Sequence, residues 1–254
     1  MTDTAALSFS PAVWLFCIAV FTAAGVVKGV VGLGLPTLAM ALLALRLLPA
    51  QAAALLILPS LVTNVWQMLP LRTLPPLVRQ LWPMQVGVVL GTLAGAWWLG
   101  APAGAWAEAA LGVALLVYGA WGLWGRQLPR PSEAVQRVAG PVVGAATGLV
   151  TALTGVFVVP AVPYLQSLGL ARDDLVQAMG LAFTVSTLAL AGGLALNQQY
   201  PAAAATGSAL LVLPALIGMK LGERLRQRLS PARFRLCFMG ALMVLGAWML
   251  WRAL

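Results

Sequence analysis

The sequence contains no histidine and few charged residues. Only 8% of its 254 residues are charged, comprising 6 Asp or Glu and 15 Lys or Arg. Without histidine the chain lacks the commonest zinc ligand and the usual general base, so hydrolytic and metal-dependent chemistry are poorly supported. Its two cysteines, Cys17 and Cys237, lie in apolar stretches and are expected to be free thiols. We therefore predict that the protein is not an enzyme and needs neither a metal nor another cofactor.

Apolar residues make up 61% of the chain. A soluble domain of this size needs about a quarter of its residues charged, so the composition indicates a membrane protein. A membrane span needs about 20 mainly apolar residues. The predicted segments are residues 11–31, 33–48, 51–69, 82–99, 106–125, 138–153, 155–168, 175–196, 202–221 and 234–251. The expected fold is an all-α polytopic membrane protein, with LRTLPPLVRQ at 71–80 as a polar connection.

The chain divides into two related halves. The stretch GVVKGVVGLGLPTLAMALLALRLLPAQA, which begins at Gly25, is answered by GAATGLVTALTGVFVVPAVPYLQSLGLARDD, which begins at Gly144. The predicted organisation is an N-terminal transmembrane repeat at 1–125, a cytoplasmic linker at 126–137 and a C-terminal transmembrane repeat at 138–254. Each repeat has about five segments, and the opening pair of each is short or broken.

The net charge of +9 is explained by topology rather than by nucleic acid, because the basic residues lie mainly in loops. All of them except Lys28, Arg46 and Arg252 can lie on one side of the membrane, which the positive-inside rule makes cytoplasmic. Both termini are then periplasmic or extracellular. Arg72 and Arg172 share a side. The segment that leads up to Arg72 therefore runs toward that side, whereas the equivalent segment that follows Arg172 runs away from it, so the repeats are inverted.

Both repeats open with helix-breaking residues. In the first half, glycines and Pro36 cluster in 25–36, and in the second half Thr, Gly and Pro residues cluster in 147–160. Inverted repeats with interrupted helices are typical of secondary transporters that bind substrate near the membrane midplane. Close packing of helices through small residues is the alternative interpretation. The break near each opening segment therefore predicts a substrate site and leaves a packing role open.

Lys28 lies well inside the first apolar segment, where a charged side chain costs about 2.5–3.5 kcal/mol on insertion scales unless it has a partner. No carboxylate is near it in sequence, so an anionic substrate is the expected partner, and snorkelling of the amine to the interface is the alternative. Asn64, Gln67 and Ser186, the last of which is the aligned position of Asn64 in the second half, can each donate hydrogen bonds or only join helices. The candidate substrate-binding residues are Lys28, Gly29, Gly32, Gly34, Pro36, Asn64, Gln67, Thr147, Gly148, Thr151, Thr154, Gly155 and Ser186.

The segments GVVKGVVGLGLP, LILPSLVTNVWQ and GLVTALTGVFVVPAVPYLQSLGLARDDLVQAMGLAFTVS resemble the sulfite exporter TauE/SafE family of membrane permeases, over about residues 25–251. The resemblance implies transport of small sulfur-containing or carboxylated anions, such as sulfite or sulfoacetate, across the bacterial inner membrane. Many members have a denser glycine cluster than this chain. The positions that the resemblance implies as site lining are Gly29, Gly32, Gly34, Pro36, Asn64, Thr147, Gly148, Thr154, Gly155 and Pro160.

The predicted function is a secondary transporter that exports a small sulfur-containing anion, such as sulfite or an organosulfonate, from a site near the midplane. An anion channel and an uptake carrier for a small carboxylate or another oxyanion are the alternatives. The apolar segments contain no mid-membrane carboxylate or histidine, so a dedicated proton relay is not expected. The expected partners are the anionic substrate and the lipid bilayer, with a homo-oligomer left open and nucleic acid not expected.

Overall fold

The computed structural model describes residues 9–125, 128–228 and 230–253. Within these residues every regular element is helical and no strand is present. The first half contains α1 (Pro11–Val31), α2 (Leu35–Leu43), α3 (Pro49–Gln67), α4 (Leu74–Leu99) and α5 (Gly104–Trp124), with a 3-10 turn (Leu71–Thr73) before α4. The second half contains α6 (Glu133–Thr154), α7 (Ala161–Ser167), α8 (Arg172–Leu196), α9 (Ala202–Leu210), α10 (Val212–Arg226) and α11 (Pro231–Ala253).

The helices confirm the predicted all-α membrane fold. By length and composition, seven helical stretches of the described residues can cross a membrane, namely α1, α3, α5, α6, α8, α11, and α9 together with α10. The predicted segment 202–221 is thus two helices that meet at Leu211. Helix α4 is not among the seven, but its 26 residues give a length of about 39 Å at 1.5 Å per residue, enough to span a bilayer.

The stretch LRTLPPLVRQ is not a loop, contrary to the prediction. It forms the 3-10 turn and the beginning of α4. Pro75 and Pro76 lie in the first turn of α4, where backbone N–H groups have no helical acceptor, so proline removes no helical hydrogen bond there. The end of the predicted linker 126–137 is likewise helical, since α6 begins at Glu133 after the N-cap Ser132. Arg126 and the termini, whose sides were predicted, lie outside the described residues.

Helices α3 and α8 occupy equivalent places in the two halves and lie against each other in opposite directions. The Asn64 amide of α3 is 3.5 Å from the Thr187 hydroxyl of α8. Further along α3, the Gln67 amide donates to the carbonyl of Val176, which lies earlier on α8. Residue numbers that increase along α3 are therefore paired with residue numbers that decrease along α8, so the two helices are antiparallel.

Helices α5 and α11 form the second equivalent pair, and they too are antiparallel. Near the start of α5, Glu108 accepts from Arg252 at the end of α11, at 2.7 Å. Near the end of α5, a Cβ added to Gly119 would lie 2.5 Å from Cγ of Met243. Antiparallel packing of equivalent helices is what inverted repeats require.

Two further contacts join the halves through glycines. A Cβ on Gly25 of α1 would lie 2.3 Å from the Ala215 carbonyl oxygen of α10, and a Cβ on Gly29 would lie 2.2 Å from that of Met219. The residue numbers increase together along both helices, so α1 and α10 are parallel. The glycine spacing i, i+4 lets the two backbones approach closely, as in membrane helix pairs of the GxxxG type.

Helices α6 and α4 repeat this arrangement with the halves exchanged. A Cβ on Gly144 of α6 would lie 2.1 Å from the Met84 carbonyl oxygen of α4, and a Cβ on Gly148 would lie 2.3 Å from that of Val88. Helix α4 therefore takes the place of α10, and α6 the place of α1. The opening helix of each half packs on the other half, and the molecule is an exchanged, inverted pair.

These directions bring most of the basic residues to one end of the molecule, which we call the basic end. The C-termini of α3, α5 and α10 lie there with the N-termini of α4, α6, α8 and α11. Exposed tryptophans occur near both ends, as expected of aromatic belts at the two membrane interfaces. At the basic end these are Trp66, Trp82 and Trp124, and at the opposite end they are Trp97, Trp98, Trp106, Trp248 and Trp251.

The two helix breaks interrupt helices that run in opposite directions. Helix α1 is capped by Gly32 and α6 by Gly155, both in the left-handed conformation with φ of 80° and 68°. Because α1 runs toward the basic end and α6 runs away from it, the two helices reach their breaks from opposite ends of the molecule.

Candidate functional site

Lys28 is buried, with 3% of its surface exposed. Among the described residues no other Lys, Arg, Asp or Glu side chain is buried. Its amine donates a hydrogen bond to Oδ1 of Asn64 on α3. The two ion pairs within the described residues involve Lys220 and Arg252, so no described carboxylate neutralises Lys28. The amine points inward to a neutral amide rather than outward to an interface.

Asn64 is the contact point between Lys28 and the second half. It is fully buried, its Oδ1 accepts from Lys28, and its Nδ2 lies 3.5 Å from Oγ1 of Thr187. The Thr187 hydroxyl donates to the Phe183 carbonyl at 2.6 Å, which leaves its oxygen free to accept. The backbone of Asn64 also faces Gly180 on α8. Residues 180–187 are the middle of α8, so Lys28 and Asn64 meet beside the centre of that helix.

The position of Asn64 depends on an unusual stretch of α3. Pro59 lies inside this helix and lacks the N–H that would bond to the Leu55 carbonyl. Ser208 of α9 donates to that carbonyl at 2.8 Å and accepts from the Leu58 N–H at 3.0 Å. The hydroxyl thus replaces the missing helical bond and fixes α9 to α3.

Gln67 fixes the first break to its surroundings. Its Nε2 donates to the Gly32 carbonyl at 2.9 Å and to the Val176 carbonyl at 3.1 Å. Its Oε1 is buried and has no hydrogen-bond partner among the described residues. One side chain therefore links the end of α1, the end of α3 and the start of α8.

Three hydroxyl groups, on α2, α3 and α8, are buried without a hydrogen-bond partner in the described part of the chain. They belong to Thr37, Ser60 and Ser186. Ser60 is four residues before Asn64, which places the two on one face of α3. Ser186 is next to Thr187 on α8, and Thr37 is in the first turn of α2. Sequence reasoning selected Ser186 but missed Ser60 and Thr37, although the i, i+4 spacing to Asn64 could have indicated Ser60.

The predicted residues of the second half bond mainly within their own helix. The hydroxyls of Thr147, Thr151 and Thr154 donate to the carbonyls four residues earlier at 2.8, 2.8 and 2.7 Å. The Thr154 oxygen also accepts from the Val156 N–H at 3.1 Å. These hydroxyls therefore stabilise the end of α6, and their hydrogens are already used.

Gly29 and Gly148 lie in the parallel helix contacts with α10 and α4 described above. The structure thus places them where the packing interpretation puts them, against a neighbouring backbone. The other predicted glycines and prolines form the breaks. Gly34 has φ of 108°, and a Cβ there would meet the ring of Phe238 at 2.9 Å, so only glycine fits.

The remaining break residues lie beside the short helices. Pro36 is buried in the first turn of α2, and Pro160 immediately precedes α7. Gly155 lies against Met40 of α2, since a Cβ there would be 2.9 Å from the methionine methyl group. The second break therefore contacts the short helix of the first half. The structure brings Lys28, Asn64, Gln67, Gly32 and the Ser186 region together, and it places Thr151, Thr154 and Gly155 at the end of α6.

A cavity of about 410 Å³ opens at the basic end and was not anticipated. It reaches Leu33 in the first break and is bounded by the ends of α5, α7 and α11. We call it the basic-end cavity. Its lining residues are Leu33, Tyr118, Trp121, Gly122, Gly125, Val162, Gln166, Gly169, Leu170, Leu175, Arg235 and Met239.

These groups together are suited to an anion. A buried amine and several hydroxyl and amide donors surround the middle of α8, and charge-assisted hydrogen bonds from such donors are about twice as strong as neutral ones. A site of this kind needs no chemistry on the ligand. Its polar side chains are buried inside the protein.

Comparison with known families identifies one match. A family model described as Sulfite exporter TauE/SafE matches residues 17–249, which is nearly the whole chain. Comparisons with curated proteins and with solved structures find no match.

Proposed function

Because the chain belongs to the sulfite exporter TauE/SafE family, we propose that it is a secondary transporter that exports a small sulfur-containing anion, such as sulfite or an organosulfonate. The observation that carries this proposal is Lys28. It is a buried amine whose hydrogen-bond partner among the described residues is a neutral amide. A buried charge is costly without a counter-charge, and an anionic substrate would supply one.

The substrate would bind between Lys28 and the middle of α8. The amine supplies positive charge, Nδ2 of Asn64 donates a hydrogen bond, and the unpaired hydroxyls of Ser60 and Ser186 are further donors. A tetrahedral or pyramidal oxyanion has several oxygens that can accept from such a set. Gln67 holds the end of α1 in place and fixes the backbone near the amine.

Access would alternate between the two ends. Asn64 and Thr187 are buried with Lys28, so the site is shielded on both sides, which favours a carrier over an open channel. The tight α1–α10 and α4–α6 contacts suggest that the moving bodies each combine helices of both halves. The sequence repeats 1–125 and 138–254 would then not move as separate units.

Orientation and driving force follow from charge. The basic end would face the cytoplasm of a bacterial inner membrane, with both termini on the other side. An inside-negative potential contributes about 2.3 kcal/mol per charge per 100 mV to the export of a monoanion. Since about 1.4 kcal/mol is a factor of ten, this supports a gradient of about fortyfold without a proton relay.

The direct test is transport of labelled sulfite and of labelled sulfoacetate in proteoliposomes with Lys28→Met. Loss of one partner of a buried charge contact costs about 2–5 kcal/mol, so we expect at least about a thirtyfold lower flux. Methionine retains an unbranched side chain one atom shorter than lysine, and thermal unfolding would verify that the variant is folded.

Lys220 is the other lysine of the chain and provides the matched control. It is exposed and pairs with Glu223 at 3.2 Å. Lys220→Met should transport like the wild type. Equal flux in the wild type and in Lys28→Met would refute the role of Lys28, and single-channel currents without saturation would favour the channel alternative.

A further inference from the structure

The basic-end cavity contains a cation with no anionic partner. Arg235 is exposed in the first turns of α11 and lines the cavity. Neither of the two ion pairs in the described residues involves it. An unpaired guanidinium at the mouth of a cavity offers several N–H donors in a planar arrangement that matches a carboxylate or sulfonate.

Tyr118 supplies a second polar group to the same cavity. Its side chain is only 2% exposed, and its hydroxyl has no hydrogen-bond partner among the described residues. Leaving a buried hydroxyl unpaired costs about 1–3 kcal/mol, so this group favours a ligand that can accept from it. Gln166 is half-buried on α7 and adds an amide to the lining.

Apolar side chains line the cavity beside these polar groups. They include Leu33, Val162, Leu170 and Met239, and Trp121 adds a ring. An inorganic oxyanion would leave these side chains without a partner. A volume of about 410 Å³ is within the common range for small-molecule sites, which combine apolar surface with a few placed polar groups.

We propose that the basic-end cavity is a second, entry site for the transported molecule and that it selects an organic monoanion, a sulfonate or carboxylate with a short apolar body, over an inorganic oxyanion. The anionic group would bind Arg235 and the Tyr118 hydroxyl, and the apolar body would lie against Leu33 and Met239. The inference rests on the proposed function because it assigns a substrate class to the same pathway. Leu33 belongs to the first break, so release from this cavity leads toward Lys28.

The test measures binding of propane-1-sulfonate by isothermal titration calorimetry to the full-length protein in nanodiscs of zwitterionic lipid. All variants are made in a Lys28→Met background, which removes the inner site. The wild-type cavity in this background should still bind. Arg235→Gln should weaken the affinity about tenfold or more, and Tyr118→Phe should weaken it by a smaller factor. Arg235→Lys, which retains the charge, should have an affinity between that of the parent and that of Arg235→Gln.

Arg233→Gln is the matched control, because Arg233 is exposed on the same helix two residues earlier and is not among the cavity residues. It should bind like the parent. Equal affinity in Arg235→Gln and Arg233→Gln, or no binding at all in Lys28→Met, would overturn the entry site. If Lys28→Met instead transports normally, the role of Lys28 in the proposed function fails, and the Arg235 comparison still stands or falls on its own result.

The preference for organic ions has its own arm. Sulfite, titrated under the same conditions, should bind the Lys28→Met protein at least about tenfold more weakly than propane-1-sulfonate, since it leaves the apolar lining uncovered. Equal affinities would contradict the substrate class. Tighter binding of sulfite would overturn it as well.

Discussion

The ends of α1 and α6 are equivalent in the inverted fold but differ in chemistry. Gly29 and Gly148 make the same close backbone contacts, since a Cβ added to either would lie 2.2 or 2.3 Å from a carbonyl oxygen. One residue earlier the halves part. Lys28 reaches across to Asn64, whereas Thr147 donates to the Val143 carbonyl of its own helix at 2.8 Å. The symmetric frame is set by glycines, and the asymmetric side chains determine where charge lies.

The comparison would be broken most strongly by giving the second half a lysine. Thr147 is fully buried. Asn64 already accepts a hydrogen bond from Lys28, so a lysine in place of Thr147 could not rely on that amide as its partner. We expect Thr147→Lys to lower the free energy of unfolding by about 2.5–3.5 kcal/mol, the insertion cost of a central charge. Unfolding in mixed micelles by added SDS would measure it.

Thr147→Val is the control for that change, because it removes only the hydroxyl. Its hydrogen bond lies within α6, and such contacts in membranes contribute about 0.6 kcal/mol on average. A Thr147→Lys protein as stable as Thr147→Val would show that the second half tolerates a buried cation equally well.

The second prediction concerns what the two regions share. Gly29→Ala and Gly148→Ala should each destabilise the protein by about 1–3 kcal/mol, since the new methyl group has no space against the neighbouring backbone. Thermal unfolding in detergent would compare them. Similar losses would support equal packing roles, and a loss in only one half would contradict them.

Gly240 offers the control for these alanines. It lies inside α11, and a Cβ there would meet nothing within 4 Å. Gly240→Ala should be neutral or stabilise by up to about 1 kcal/mol, because alanine favours a helix more than glycine.

The third prediction tests Asn64 against Ser186, its aligned position in the second half. Asn64→Ala removes the partner of a charged amine and should lower substrate flux about tenfold. Ser186→Ala removes a hydroxyl without a described partner and should lower flux by less than about threefold. Equal losses in proteoliposome transport would mean that the two halves contribute alike.

The smallest effect is expected at Gln67. Three residues after Ser186 the second half has Ala189, so Gln67→Ala makes α3 resemble α8. The change removes hydrogen bonds to the carbonyls of Gly32 and Val176 and should cost about 1 kcal/mol. Hydrogen exchange at the end of α1 should rise while that at the end of α6 does not. Unchanged exchange at both ends would show that Gln67 does not hold the first break.

Much of the fold could be predicted from periodic composition. The segment 11–31 coincides with α1, and the placement of Arg72 and Arg172 on one side predicted the antiparallel relation of α3 and α8. The helical start of α4 was missed because Pro75 and Pro76 indicated a connection. Prolines in a first turn are, however, compatible with a helix.

The candidate site was predicted less completely. Lys28 and Asn64 were selected because polar groups in an apolar segment need partners, and they contact each other. The direction of the Thr151 hydroxyl could not be read, since donation to a carbonyl of its own helix leaves no trace in spacing. For Gly29, the glycine pair Gly218 and Gly222 has the same i, i+4 spacing and could have indicated which helix faces α1.

The exchanged glycine contacts also bear on how the chain is made. Helix α1 is synthesised about two hundred residues before α10, yet its glycine face packs on that helix. Until α10 is made, Gly25 and Gly29 face lipid or another chain. The N-terminal half cannot complete its packing alone, so the first helix stays without its packing partner until α10 has been inserted.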